Sequence, residues 1–104
     1  FRAALLCRLE LEGYTAQGSF GFEDFFASIL RTQPDIVISD IDLGNENGFQ
    51  VIHCLRAMGL NLPVILMTGS TELGLEKKAH EIGACAVLRK PFEVSQLLEA
   101  IQQA

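Results

Sequence analysis

Apolar residues recur in two rhythms along this chain, and the rhythms alternate. Leu5, Leu6 and Leu9 recur at helical spacing over residues 1 to 12, and Gly13 closes that helix. No strand precedes it. Tyr14 to Gln17 form a weak strand, then Gly18-Ser19-Phe20-Gly21 reads as a loop. A second helix from about Phe22 to Leu30 carries Phe22, Phe25, Phe26 and Ile29. The β-branched run Ile36-Val37-Ile38, between Pro34 and the Gly44 to Gly48 loop, predicts a strand to Ser39 buried on both faces. A third helix of roughly Gly48 to Met58 puts Val51, Ile52 and Leu55 on one side, with Gly59 just beyond. Pro63 opens Val64-Ile65-Leu66-Met67, a buried strand ending at Thr68. Ser70 or Thr71 is the expected N-cap of a helix that runs through Gly74 to Ile82 and stops at Gly83. Ala84 to Leu88 predict the last strand, Lys90-Pro91 a break, and Val94, Leu97, Leu98 and Ile101 a final amphipathic helix. Alternation of this kind argues an α/β fold, a doubly wound parallel sheet with right-handed crossovers.

Three predicted strand ends carry chemistry. In an open α/β sheet, ligands bind beyond the carboxyl ends of the strands. The segment PDIVISDIDLGNENG brings Asp40 and Asp42 to that edge, where Asp42 and Asn45 also suit turns. Thr68-Gly69-Ser70 brings a hydroxyl, and Arg89-Lys90-Pro91 a cation. A carboxylate nucleophile, a hydroxyl donor and an ammonium are what phosphoryl transfer to a carboxylate requires. Each alone has a plainer reading, as a strand end, a turn residue or a solvated lysine.

Composition narrows the classes. With 104 residues the chain has the size of one domain. No apolar run approaches the ~20 residues of a membrane span, which points to a soluble domain. The net charge of −5 argues against direct nucleic-acid binding. Cys7, Cys54 and Cys85 are odd in number, with no CxxC pair, and read as reduced core residues of a cytosolic protein. His53 and His80 read as surface or half-buried helix residues without a metal partner.

The segments PDIVISDIDLGNENG, PVILMTG and GACAVLRKPF, in that order, resemble the receiver domain of two-component response regulators, and the resemblance extends over all 104 residues. It implies a flavodoxin-like fold with strand order 2-1-3-4-5. It also implies a cytoplasmic phosphoacceptor signalling domain, no enzyme beyond its own phosphorylation and dephosphorylation, served by a sensor histidine kinase or phosphotransfer protein and by Mg²⁺. On this likeness Asp40 matches the phosphoacceptor, and Asp42 the position whose backbone carbonyl joins Asp40 at the metal. Thr68 matches the switch hydroxyl, and Lys90 the lysine that meets the phosphoryl group, ahead of a cis bond to Pro91. A fused effector domain and a homodimer through the last helices are known in the family, though no residue here speaks for the dimer.

Two departures stand out. Receivers begin with a strand ending in an acidic pair that holds magnesium, whereas this chain opens in the helix that follows. A central strand cannot be dispensed with, so the expectation is an N-terminally incomplete receiver with strand 1 missing. Val87 stands where many receivers carry a Tyr or Phe that swings with the switch hydroxyl. Two rival readings follow: a non-phosphorylated receiver serving only as an interaction module, and a phosphatase of the haloacid dehalogenase kind. The phosphatase would use Asp40-Ile41-Asp42 as its DxD, but it lacks the residue expected at Gly44 and a later acidic motif.

Overall fold

The computed structural model describes residues 2–19, 22–41, 48–70 and 72–104. They fall into two compact units, Phe1–Gln33 and Pro34–Ala104.

The first unit holds helices α1 (Arg2–Leu11) and α2 (Phe22–Arg31). Leu9 and Ile29 are buried, while Leu11 and Leu30 face out. The Phe25 and Phe26 rings of α2 pack edge to face, with centroids 4.9 Å apart. Residues 14 to 17 do not form the expected strand. A strand needs a ladder partner for its backbone groups, and among the described residues every paired strand lies in the second unit. What this stretch shows instead is a side-chain bond from Gln17 Nε2 to Ser28 Oγ, 2.9 Å long.

The second unit is built as β1 (Val37–Asp40), α3 (Gly48–Ala57), β2 (Val64–Thr68), α4 (Leu75–Ile82), β3 (Ala86–Arg89) and α5 (Val94–Gln103). The strands make one parallel sheet in the order β1-β2-β3. Parallel neighbours need crossover connections, and α3 and α4 supply them. These three agree with the last three strands of the 2-1-3-4-5 order. β2, paired on both sides, has all five residues buried. β1 pairs on one side only among the described residues, and its burial alternates. The two-sided burial expected of it therefore holds for β2 and not for β1.

The core gathers Val51, Ile52 and Leu55 of α3, Val64 to Met67 of β2, Leu75 and Ala79 of α4, and Leu97 of α5. Ile52, Leu55, Ile65, Leu66 and Leu97 are fully buried, so cutting any of them to Ala would cost about 2–5 kcal/mol. Lys78 lies over the Phe49 ring, 5.0 Å from its centroid, and adds a cation–π contact between α4 and α3.

Helix α4 begins later than its sequence suggests. Ser70 and Thr71 do not cap it; Ser70 Oγ instead accepts the Glu72 N–H at 3.1 Å within a local turn, and Thr71 lies outside the described residues. The N-cap is Gly74, whose φ of 82° is a conformation other residues enter reluctantly. The glycine that weakened the predicted helix is the one that starts it. α5 opens on a reciprocal capping box between Glu93 and Gln96.

The cysteines depart from expectation. Cys7 and Cys85 are exposed and Cys54 is half-buried, so none sits in the core. Helices can turn a cysteine among apolar neighbours outward, as α1 does with Cys7. The neighbourhood of the Cys85 thiol still buries it enough to raise its pKa, against backbone hydrogen bonds that pull the other way. His53 and His80 are exposed on α3 and α4, as expected.

Candidate phosphoacceptor site

The sheet register puts the three strand ends side by side. Asp40, the last residue of β1, pairs with Met67, and the next residue of β2, Thr68, pairs with Arg89 at the end of β3. The ladder continues past the strands, with the Ile41 N–H reaching Met67 O at 2.8 Å and the Lys90 N–H reaching Thr68 O at 2.7 Å. Backbone bonds to β2 from either side thus hold Asp40 and Lys90, 50 apart in sequence, at the same edge of the sheet before any side chain acts.

Onto that frame the side chains add an ion pair between Lys90 Nζ and Asp40 Oδ2. The Asp40 side chain is 20% exposed and that of Lys90 34%, so the pair is half-desolvated yet open to a small reactant. Thr68 is fully buried, and its Oγ1 accepts the Ser70 N–H at 3.0 Å. The Lys90-Pro91 bond is cis. Asp42 lies outside the described residues.

Gly48 sets how closely α3 approaches this edge. A Cβ there would stand 2.6 Å from Leu66 Cδ2 and 3.2 Å from the Asp40 carbonyl oxygen. Only a glycine lets the helix start rest against both. The sequence flagged Gly48 as the end of a loop, but not as a contact of Asp40.

Arg89 is the other residue that sequence reasoning underrated. In the sequence it is part of a basic strand end whose cation falls to Lys90. In the structure its Nε meets Glu76 Oε1 at 2.9 Å and its Nη1 donates to Ser70 O. Its reach across 13 and 19 residues has no signature in local spacing.

A magnesium ion takes hard oxygen donors and keeps waters and phosphate oxygens around it. The Asp40 carboxylate is a donor of that type. Among the described residues no group of three or more His, Cys, Asp or Glu side chains gathers to hold a metal. The donor chemistry therefore fits at one residue, and Asp42 would have to supply the second.

A model of the response regulator receiver domain family matches residues 1–102. The chain belongs to this family. It is similar to the transcriptional regulatory protein CiaR of Streptococcus pneumoniae, 38% identical over 80% of this chain and 43% of that protein. It is also similar to sporulation initiation phosphotransferase F of Bacillus subtilis, 27% identical over 88% of this chain and 74% of that protein. Among solved structures, a response regulator from Burkholderia pseudomallei with a phosphorylated aspartic acid, calcium ion and citrate superposes with a TM-score of 0.84. That likeness covers 98% of this chain and 60% of the other at 24% identity, and it speaks for the fold. The receiver spans less than half the length of CiaR.

Receivers are signalling phosphoacceptor domains of two-component systems and not enzymes of the usual kind. Membership in the receiver family gives the phosphatase reading no support. Among the described residues no helix is long and apolar enough to cross a membrane.

Proposed function

We propose that Asp40 accepts a phosphoryl group from the phosphohistidine of a partner kinase or phosphotransfer protein, and that Thr68 and Lys90 respond to it. The observation that carries this reading is the Lys90-Asp40 ion pair at the carboxyl edge of the sheet, with Thr68 one residue beyond the partner of Asp40.

The chemistry follows from those groups. A carboxylate oxygen of Asp40 forms the new O–P bond as the donor's N–P bond breaks; the electron pair of that bond leaves on the imidazole, which takes up a proton. Charge then sits on the phosphoryl oxygens, within reach of the Lys90 ammonium that now holds the carboxylate. The Thr68 hydroxyl, one strand away, supplies a neutral donor to the same oxygens. Burial keeps it from being spent on water. Magnesium, held by Asp40 and the Asp42 carbonyl, would neutralise charge between carboxylate and incoming phosphoryl group. With a phosphohistidine donor of the sensor-kinase type the domain would work in the cytoplasm, and relatives longer than this receiver support a joined effector domain.

The test is intact mass of the full-length protein after incubation with acetyl phosphate and Mg²⁺. One added phosphoryl group is expected on the natural protein and none on Asp40→Asn. An unlabelled natural protein would leave the interaction-module reading in its place.

A further inference from the structure

Every residue of β3 other than Arg89 carries an aliphatic side chain. At the end of that strand the Arg89 guanidinium makes a polar contact with α4. That group is bonded at both ends, with Nη1 donating to Ser70 O and Nε to Glu76 Oε1 in the first turn of α4. The planar fork of arginine suits two acceptors in fixed directions, which a lysine ammonium does not. Ser70 in turn donates its N–H to Thr68 Oγ1, and Arg89 is the register partner of Thr68. The next residue, Lys90, holds Asp40.

We infer that Arg89 is a positioning residue that couples the Asp40 site to helix α4, by holding the Ser70 peptide and the Glu76 carboxylate in one grip. The inference rests on the phosphoacceptor reading above and extends it to a residue outside the set Asp40, Thr68 and Lys90. When a phosphoryl group at Asp40 draws the Thr68 hydroxyl, the Ser70 N–H loses the acceptor that fixes it, and residue 70 moves. Its carbonyl is one of the two seats of the fork, so the guanidinium is either seated on both acceptors or released from one. That is the two-state element that a coupling argument needs. The first turn of α4 feels the difference because Glu76 is the other seat.

Stability is not what this contact provides. Arg89 and Glu76 side chains are 38% and 55% exposed, and ion pairs so open to water add little to folding. An exposed pair with small energetic weight and a precise link to the site is better placed to transmit than to hold.

The experiment compares natural protein, Arg89→Ala and Arg89→Lys at full length. Phosphoryl uptake from acetyl phosphate is read by intact mass, and backbone amide shifts are read by NMR with and without beryllofluoride and Mg²⁺. Natural protein is expected to take the label and to shift amides at Ser70 and throughout Leu75–Ile82. Arg89→Ala is expected to keep the label and the Ser70 shifts but lose those of α4. Arg89→Lys is expected not to restore them, although a role of charge alone would be rescued. Unchanged α4 shifts in Arg89→Ala overturn the inference, and so does loss of label in that variant, which would put Arg89 in the chemistry itself. Should Arg89→Ala melt early, Glu76→Gln carries the same expectation from the exposed end. No label on the natural protein removes the phosphoacceptor reading and this inference with it, an outcome distinct from a labelled protein whose α4 ignores Arg89.

Discussion

The two ends of the β1-β2-β3 sheet use cations in opposite ways. At the amino end, Arg56 of α3 donates to Leu60 O and Leu62 O at 3.0 Å each and to Gly83 O at 3.3 Å. One side chain thereby ties the end of α3, the approach to β2 and the end of α4 together. All its acceptors are backbone carbonyls, which neither titrate nor accept a covalent group. At the carboxyl end, Lys90 and Arg89 meet the carboxylates of Asp40 and Glu76. The Asp40 carboxylate can take a covalent group, and Arg89 also holds the carbonyl of Ser70, whose N–H is bonded to Thr68, so these contacts stand within reach of an event at the site, while those of Arg56 join backbone at the opposite edge. The same kind of residue makes a clamp at one pole and a responsive contact at the other.

The sharpest way to break the comparison is Lys90→Ala. Loss of one charge-stabilising donor should slow phosphoryl uptake on Asp40 about 10²-fold. Urea unfolding should move by no more than about 1 kcal/mol, because Asp40 is open enough to be rehydrated. A variant that unfolds early but labels normally would make this end a clamp as well.

Arg56→Ala tests the other pole. Carbonyls that lose a charged donor should lower stability by about 2 kcal/mol, with the urea midpoint falling and the slope unchanged. Labelling of Asp40 should be unaltered under native conditions. Slowed labelling with unchanged stability would reverse the roles.

Gly48→Ala has the smallest expected effect and reaches both core and site. Overpacking against Leu66 and the Asp40 carbonyl costs about 1–3 kcal/mol, while alanine recovers up to about 1 kcal/mol of helix propensity over glycine. The net should be a destabilisation of about 1 kcal/mol, and amide shifts at Asp40 and Ile41 should accompany it. A stabilised variant would show that Leu66 yields freely and that α3 is not seated on the strand.

Much of this was legible in the chain because strand ends are local features. Val64 to Thr68 announces a fully buried strand, and Asp40, Thr68 and Lys90 each sit at the end of an apolar run. Parallel pairing then has little choice but to gather them. The start of α4 differs from the expectation because serine and threonine cap helices in general, whereas here a glycine in a left-handed conformation turns the chain three or four residues later. The strand expected at 14–17 failed because a pattern says nothing of whether a partner edge is present. Cys7 and Cys85 were misjudged from their neighbours, since the face that a side chain takes depends on packing beyond them. Arg89 was invisible for a related reason: a long side chain finds partners by direction in space, and direction is settled only by the fold.

Thr68 stands on the most enclosed strand of the sheet, with β1 on one side, β3 on the other and its surface fully covered. Its backbone has no room to drift, which leaves rotation about χ1 as the freedom that remains. For a β-branched side chain that angle has a few staggered wells and steep walls between them. Whatever Thr68 does in answer to events at Asp40, it does by hopping from one well to another, so the reply is stepped and not graded.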